Sequence, residues 1–256
     1  MAKLPKKERF LDFSDYGRSL AVKFAELLLP TGLGAISITW MFTFVGIVAA
    51  LLIYLDQPVI AALLLPVKSM LDAADGEMAR LRKKPSYVGR YLDSVNDFLI
   101  NAILIFTLMH KCNQSYVLAF AALVLMELQG SVFNYYYLVK RYKCDGDKTS
   151  RINESSKPEP FPWDNKNALT TLHFLYKVIY RWQDKIIWFL DKKADQAENL
   201  PKWFMSLVSV LGLGFQLLVM ALFLIAGYSE LIIPVFIFPY TVYGILVIVI
   251  RKVFIK

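Results

Sequence analysis

The chain has 256 residues, of which 57% are hydrophobic and 14% aromatic, and its formal net charge is +8. This composition is too apolar for an ordinary soluble domain and is typical of a single membrane domain covering residues 1–256. The basic excess flanks the apolar segments, so it indicates membrane orientation and gives no case for nucleic acid as a partner.

An N-terminal segment, residues 1–30, precedes the first long apolar run. From Ser14, a residue type that often caps helices, the sequence mixes Leu20, Phe24 and Leu27 with charged residues. This pattern predicts an amphipathic helix that lies in the membrane interface.

Windows of about 20 residues find six mainly apolar segments. They are residues 32–55, 59–82, 86–110, 116–138, 203–228 and 231–250. The second and third segments are apolar at one end and charged at the other, and their charged halves meet around residues 83–86. We therefore predict an all-α protein with six transmembrane helices and additional interfacial amphipathic helices.

Basic residues orient this helical bundle. The segments that would share one side carry most of them, including Lys83, Lys84, Lys140 and Arg141, whereas the opposite connections offer only Lys111. By the positive-inside rule, both termini and the charged turn at 83–86 face the cytoplasm, in a cytoplasmic (inner) membrane.

The segment 140–202 is the one long stretch with soluble character. Its first part, KCDGDKTSRINESSKPEPFPWDNKN, is rich in turn formers and charge, which predicts a loop. Its second part has helical spacing and predicts an amphipathic helix along the cytoplasmic face. The apolar residues that repeat there are Leu172, Leu175, Ile179, Trp182, Ile186 and Phe189.

Four aspartates lie in the charged halves of the second and third segments. They are Asp72, Asp75, Asp93 and Asp97. Helical geometry places each pair on one face of its helix, with Gly76, Ala79 and Gly89 beside them. A short turn makes the two helices antiparallel neighbours, so the faces can meet. Buried carboxylates repel unless cations neutralise them, and an all-oxygen set favours Mg²⁺ or Mn²⁺. A pair of such cations suits phosphoryl chemistry.

Other polar residues near this cluster have two readings. Arg80, Arg82 and Arg90 supply cations at its mouth as phosphate contacts. Lys68 lies one turn before Asp72, where it could form a salt bridge or contact a phosphate. Three further polar residues in the fourth segment suit either hydrogen bonds between helices or an acceptor pocket. They are Glu127, Gln129 and Asn134.

The spacing of the cluster resembles a known family signature. It reads Asp72-x2-Asp75-Gly76-x2-Ala79-Arg80-x8-Gly89-x3-Asp93-x3-Asp97. This pattern is similar to the signature of the CDP-alcohol phosphotransferase (CDP-alcohol phosphatidyltransferase) family at all eight positions, with every gap correct. The six-segment layout and the N-terminal helix extend the resemblance over most of the chain.

The resemblance implies an activity and a role for each motif residue. In that family an alcohol hydroxyl attacks the phosphate joined to the alcohol moiety of a CDP-linked donor, and CMP is released. Metal ligation is implied for Asp72, Asp75 and Asp93, and general-base catalysis with a share in metal binding for Asp97. The implied CDP contacts are Asp72, Gly76, Ala79 and Arg80, and the implied helix-packing residue is Gly89. A homodimer is also consistent with the family.

Three functions remain open at the level of sequence. In the first, CDP-diacylglycerol is the donor, and a small polar alcohol such as glycerol phosphate, serine or an inositol compound is the acceptor. In the second, a soluble donor such as CDP-choline, CDP-ethanolamine or CDP-inositol serves a lipid or polyol acceptor. The third is a membrane transporter or scaffold that binds cations at the acidic cluster without catalysis. We expect an enzyme of phospholipid biosynthesis.

Overall fold

The computed structural model describes residues 4–144, 156–197 and 199–255. Within these ranges all regular structure is helical, so the all-α prediction is confirmed. The ten α-helices of the described chain are α1 Arg18–Leu28, α2 Ala35–Tyr54, α3 Pro58–Leu81, α4 Tyr87–Lys111, α5 Tyr116–Lys143, α6 Lys166–Leu190, α7 Lys202–Ser209, α8 Leu213–Ile225, α9 Ile232–Ile237 and α10 Pro239–Phe254.

The two helices that carry the aspartates form a hairpin, as the sequence predicts. Helix α3 ends at Leu81, and Lys83 takes a left-handed conformation with φ of 52° that reverses the chain. Ser86 then caps α4, because its hydroxyl accepts a hydrogen bond from the Gly89 amide at 2.9 Å. Helix α2 packs against both helices of the hairpin. The motif therefore lies on two rigid elements joined by a short turn.

The prediction of six spans is only partly confirmed. Among the described residues, α2, α4, α5 and the stretch Ser229–Phe254 are each long and apolar enough to cross a membrane. Helices α7 and α8 could form a fifth span, but they meet at a bend of 47°. Helix α3 does not qualify, because every 18-residue window in it contains Lys68, Asp72 and Asp75.

The N-terminal segment packs against the α7–α8 pair at its bend. A Cβ atom on Gly214 would lie 1.9 Å from the Ser14 carbonyl oxygen, so the absence of a side chain lets the segment pass against α8. The Phe13 amide also donates a hydrogen bond to the Ser209 hydroxyl, at 2.9 Å. Since Ser14 is held in this contact, the first α-helix begins at Arg18 and not at the predicted cap.

Helix α6 falls inside the amphipathic segment that the sequence predicts. Its apolar stripe, however, points away from the protein: Trp182, Ile186 and Phe189 are 38%, 40% and 71% exposed. The opposite face packs against α4 and α5 and buries His173 and Gln183. This arrangement suits a helix whose apolar side contacts lipid, as we predict for an interfacial helix. The loop predicted over residues 145–155 lies outside the described residues.

Candidate active site

Three carboxylates converge between α3 and α4. Asp72 and Asp75 come from α3 and Asp93 from α4, and one oxygen from each lies within 4.8 Å of the others. The hairpin produces this geometry because it places the acidic faces of the two helices opposite each other. The structure thus brings together three of the four predicted metal ligands.

Neighbouring groups leave room for a cation in this cluster. The Thr39 hydroxyl of α2 donates a hydrogen bond to Asp75 Oδ2 at 2.7 Å and orients that carboxylate. In contrast, Asp93 Oδ1 is buried and has no hydrogen-bond partner among the described residues. An unpartnered buried oxygen in an all-carboxylate set matches the ligands that Mg²⁺ and Mn²⁺ prefer. The donor set therefore fits a hard divalent cation.

Asp97 lies one turn beyond Asp93 and is held differently. Its carboxylate accepts a hydrogen bond from the Lys68 ammonium, which is fully buried and also lies 4.7 Å from the ring centroid of Phe42. The predicted alternatives for Lys68 were a bridge to Asp72 or a phosphate contact, and the structure places it on Asp97. Asp97 is therefore a neighbour of the group of three carboxylates and not a member of it.

A cavity of about 1290 Å³ contains all four aspartates. Of the other predicted site residues, Gly76, Ala79, Arg80, Gly89 and Arg90 also line it. This volume exceeds that of an ordinary single-ligand pocket, so it has room for two substrates.

Two of the predicted phosphate contacts lie away from this cavity. Lys68 is buried behind Asp97, and Arg82 donates a hydrogen bond to the Leu29 carbonyl oxygen at 3.0 Å. Neither side chain lines the cavity, whereas Arg90 does. Of the predicted basic residues, Arg80 and Arg90 therefore line the cavity, and Lys68 and Arg82 do not.

The two motif glycines differ in their surroundings. A Cβ atom on Gly76 would lie 3.3 Å from the Arg80 guanidinium, so a side chain there would press on that group. A Cβ atom on Gly89 would meet Ser86 Oγ at 3.4 Å and Ile36 Cγ1 at 3.6 Å, which are ordinary contacts. Packing alone therefore does not require glycine at position 89, and its place on the cavity wall is the feature that the two share.

The polar residues of α5 divide between the two readings. Gln129 donates a hydrogen bond to the Phe236 carbonyl oxygen at 2.9 Å, so it links helices. Glu127 accepts one from Asn101 at 2.8 Å and also lines the cavity. Asn134 is exposed to the cavity. The wall formed by α5 therefore includes the polar side chains of Glu127 and Asn134.

A wall of the cavity that sequence reasoning missed comes from α6. The Tyr180 hydroxyl donates a hydrogen bond to the Ser94 carbonyl oxygen at 2.8 Å, and Ser94 directly follows Asp93. Burial, together with the carboxylates of Glu127 and Asp97, holds the pKa of Tyr180 well above its ordinary value, so the phenol stays protonated. The sequence contained a signal for this wall, because α6 carries a stripe of basic residues on a different face from its apolar stripe. The cavity-lining residues of α6 are Tyr176, Lys177, Tyr180, Arg181, Asp184, Lys185 and Trp188.

Residues 161–164, which we call the clasp, fix the turn that leads into α4. The Asp164 carboxylate accepts hydrogen bonds from the Ser86 hydroxyl at 2.5 Å and from the Tyr87 amide at 3.0 Å. The Trp163 indole donates one to the Pro85 carbonyl oxygen at 2.8 Å. The Phe161 ring stacks on Tyr87 with centroids 5.0 Å apart. A carboxylate at a helix N-terminus is favourable, so the clasp stabilises the helix that carries Asp93.

Comparison with known proteins identifies part of this architecture. The family model described as CDP-alcohol phosphatidyltransferase matches residues 27–159, just over half of the chain. The matched range contains the four aspartates and ends before the clasp and α6. No curated protein matches the chain.

Proposed function

The chain belongs to the CDP-alcohol phosphatidyltransferase family, and we propose that its cavity transfers a phosphatidyl group from CDP-diacylglycerol to a polar alcohol, with release of CMP. Members of this family are transferases of substituted phosphate groups in phospholipid biosynthesis. The observation that carries the proposal for this chain is the group of three carboxylates within 4.8 Å, beside Asp97 and inside one large cavity.

The three clustered carboxylates would hold two divalent cations, Mg²⁺ or Mn²⁺. Asp72, Asp75 and Asp93 supply the ligand oxygens, and Thr39 keeps Asp75 turned toward the cluster. When bound, such cations neutralise phosphate oxygens and the charge that develops on the departing CMP.

Asp97 is the proposed general base. It accepts the proton of the acceptor hydroxyl as that oxygen bonds to the phosphorus attached to the lipid, and the bond from this phosphorus to CMP breaks. Lys68 fixes the orientation of Asp97 through their buried ion pair. The family resemblance gives Asp97 a share in metal binding too, and its position beside the three clustered carboxylates allows both roles.

The CDP portion of the donor is assigned to the α3 side of the cavity. Gly76 and Ala79 present small surfaces there, which lets a ligand approach the helix closely. Arg80 lies next to them and is held by an ion pair with Glu77 at 2.9 Å. Asp72 is the fourth contact that the resemblance implies. This assignment leaves the opposite side, beside Asp97, for the acceptor.

The experiment is a donor panel with the purified protein in lipid nanodiscs. CDP-diacylglycerol, CDP-choline, CDP-ethanolamine and CDP-inositol would each be incubated with Mg²⁺ or Mn²⁺ and a mixture of polar alcohols and lipid acceptors. CMP and the phosphodiester product would be identified by mass spectrometry, with Asp97→Asn as the inactive variant. We expect a product from CDP-diacylglycerol alone. A product from a soluble donor would reverse the assignment of donor and acceptor, and metal binding without CMP from any donor would indicate a non-catalytic membrane protein.

We also propose that α3 and the α7–α8 pair each cross the membrane, which gives six spans. Two charged residues of α3 have partners within the protein, since Lys68 pairs with Asp97 and Asp75 accepts a hydrogen bond from Thr39. Buried polar residues of a span usually face the bundle interior in this way.

The aspartate end and both termini are proposed to face the cytoplasm. At the other end, Lys111 is paired with Asp56 at 2.7 Å, so that side gains little positive charge. The two cysteines, Cys112 and Cys144, lie at opposite ends of this arrangement. In sealed right-side-out vesicles, a membrane-impermeant maleimide should label Cys112 and spare Cys144, and the reverse pattern would overturn the orientation.

The homodimer that the family suggests is tested by light scattering of the detergent-solubilised protein.

A further inference from the structure

Three basic side chains line the cavity from one face of α6. Lys177, Arg181 and Lys185 follow each other at four-residue intervals, so they form a stripe about 12 Å long. The family model ends at residue 159, so this stripe is a feature of the chain outside the matched range.

The three basic side chains of this stripe lie close together on one helix. Within the described part of the chain, Lys177, Arg181 and Lys185 form no ion pair, although like charges four residues apart on a helix repel each other by about 0.2–0.5 kcal/mol per pair. Asp184 is the one carboxylate that α6 adds to the cavity, and it has an interaction of its own. An anionic ligand would relieve the repulsion.

The stripe lies on the wall that α6 forms beside α4, in the cavity that also contains the proposed base. Tyr180, between Lys177 and Arg181, reaches the carbonyl oxygen of Ser94, which lies on α4 between Asp93 and Asp97. An acceptor with its hydroxyl at Asp97 would therefore share the cavity with these basic side chains of α6. The diphosphate of the donor is assigned to α3, on the other side of the aspartates.

Contacts at both ends of α6 hold the helix that carries the stripe in place. Before its first residue, Asp164 of the clasp bonds Ser86 and Tyr87. After its last residue, Asp191 forms a buried ion pair with Arg251 and accepts a hydrogen bond from the Tyr136 hydroxyl at 2.7 Å. A helix backbone that is fixed before the ligand arrives loses less conformational entropy on binding.

We propose that the acceptor alcohol carries a phosphate group and that Lys177, Arg181 and Lys185 bind this phosphate. Arginine presents a planar fork of donors that matches phosphate oxygens, and lysine adds point charges on either side. This inference rests on the proposed transfer reaction and names the acceptor class for the same cavity.

The test compares matched acceptors and matched variants. Glycerol and glycerol 3-phosphate would each be offered with CDP-diacylglycerol to the full protein in nanodiscs. The variant of the stripe is K177Q/R181Q/K185Q. The control K166Q/K192Q/K193Q removes the same charge from or beside the same helix, at residues that do not line the cavity. We expect the wild type to prefer glycerol 3-phosphate by at least about tenfold in kcat/KM. The stripe variant should raise KM for that acceptor by at least about tenfold with little change in kcat, and the control should not.

A second source of phosphate is a lipid headgroup, and the lipid composition of the nanodisc separates the two. If the stripe binds headgroups, the stripe variant will lose a dependence on anionic lipid while KM for glycerol 3-phosphate stays the same, which overturns the proposal. A preference for unphosphorylated glycerol would also overturn it.

Calorimetric titration of glycerol 3-phosphate without donor gives a readout that needs no turnover. Binding that is weakened at least about tenfold in the stripe variant, with an unchanged melting temperature, supports the proposal. Equal binding in the wild type and the stripe variant contradicts it. Absence of CMP release with every acceptor would instead refute the transfer reaction itself. The binding measurement would still test the stripe, because it needs no turnover.

Discussion

Replacing Asp164 with alanine tests whether the clasp holds the start of α4. The carboxylate accepts hydrogen bonds from Ser86 at 2.5 Å and Tyr87 at 3.0 Å. Hydrogen bonds to a charged group contribute about 1.5–3 kcal/mol each, and the partial exposure of this site favours the lower value. The two bonds together then stabilise the closed turn by about 3 kcal/mol. This free energy corresponds to roughly a 100-fold change in the opening equilibrium.

Hydrogen exchange measured by mass spectrometry reads this opening directly. In the peptide that begins at Ser86, we expect the amides of the first turn of α4 to exchange up to about 100-fold faster in Asp164→Ala. A peptide from α10 should be unchanged. Glu159→Ala removes a carboxylate from the same segment at an exposed position and serves as the control. If the first turn exchanges at the wild-type rate in Asp164→Ala, the clasp does not stabilise α4 and the reasoning is refuted.

Two further substitutions test contacts that position the site. Thr39→Val removes the hydroxyl that donates a hydrogen bond to Asp75 at 2.7 Å. The metal concentration for half-maximal CMP release should then rise about 10–100-fold, as is usual when a metal ligand loses its supporting hydrogen bond. An unchanged metal titration would refute that role. Gly214→Ala places a Cβ atom 1.9 Å from the Ser14 carbonyl oxygen. This substitution should destabilise the protein by about 1–3 kcal/mol and lower its melting temperature. The control Gly130→Ala has open space around its Cβ position and should leave the melting temperature unchanged. Equal melting temperatures of the two variants would contradict the packing at Gly214.

The hairpin and the acidic cluster follow from local features of the sequence. Hydrophobic patterning, a short turn and helical periodicity decide which faces of α3 and α4 meet, and these depend on residues close together in the chain. The same reasoning left the partner of Lys68 open. Asp72 is only four residues away, but the structure chooses Asp97, which lies 29 residues away. The choice depends on how α3 and α4 are placed relative to each other, and helical spacing alone does not contain it.

The bend between α7 and α8 could not be predicted from its own sequence. The stretch 203–228 is apolar throughout and reads as one span, yet Gly214 accommodates the backbone of Ser14 from the far end of the chain. Contacts of such high sequence separation leave no periodic signal. Glycine at this position is compatible with a continuous helix or with a break.

The hydrophobic periodicity of α6 predicts the helix correctly, but it does not show which face of the helix points into the protein. In a soluble protein the apolar stripe would be buried, whereas here Trp182 and Phe189 are exposed and the polar face lines the cavity. A membrane reverses the usual inference, because lipid is a suitable surrounding for the apolar stripe. The basic stripe on the other face was therefore the informative feature.

The most direct test of the account is the metal dependence of CMP release from CDP-diacylglycerol by the wild type and Asp93→Asn. Asp93 offers the buried oxygen that has no hydrogen-bond partner in the described chain, and asparagine keeps its size while removing its charge. We expect activity that requires Mg²⁺ or Mn²⁺ in the wild type and a loss of at least about 100-fold in the variant. CMP release that persists in a chelator, or full activity of Asp93→Asn, would contradict the assignment of the carboxylates as the metal-binding centre.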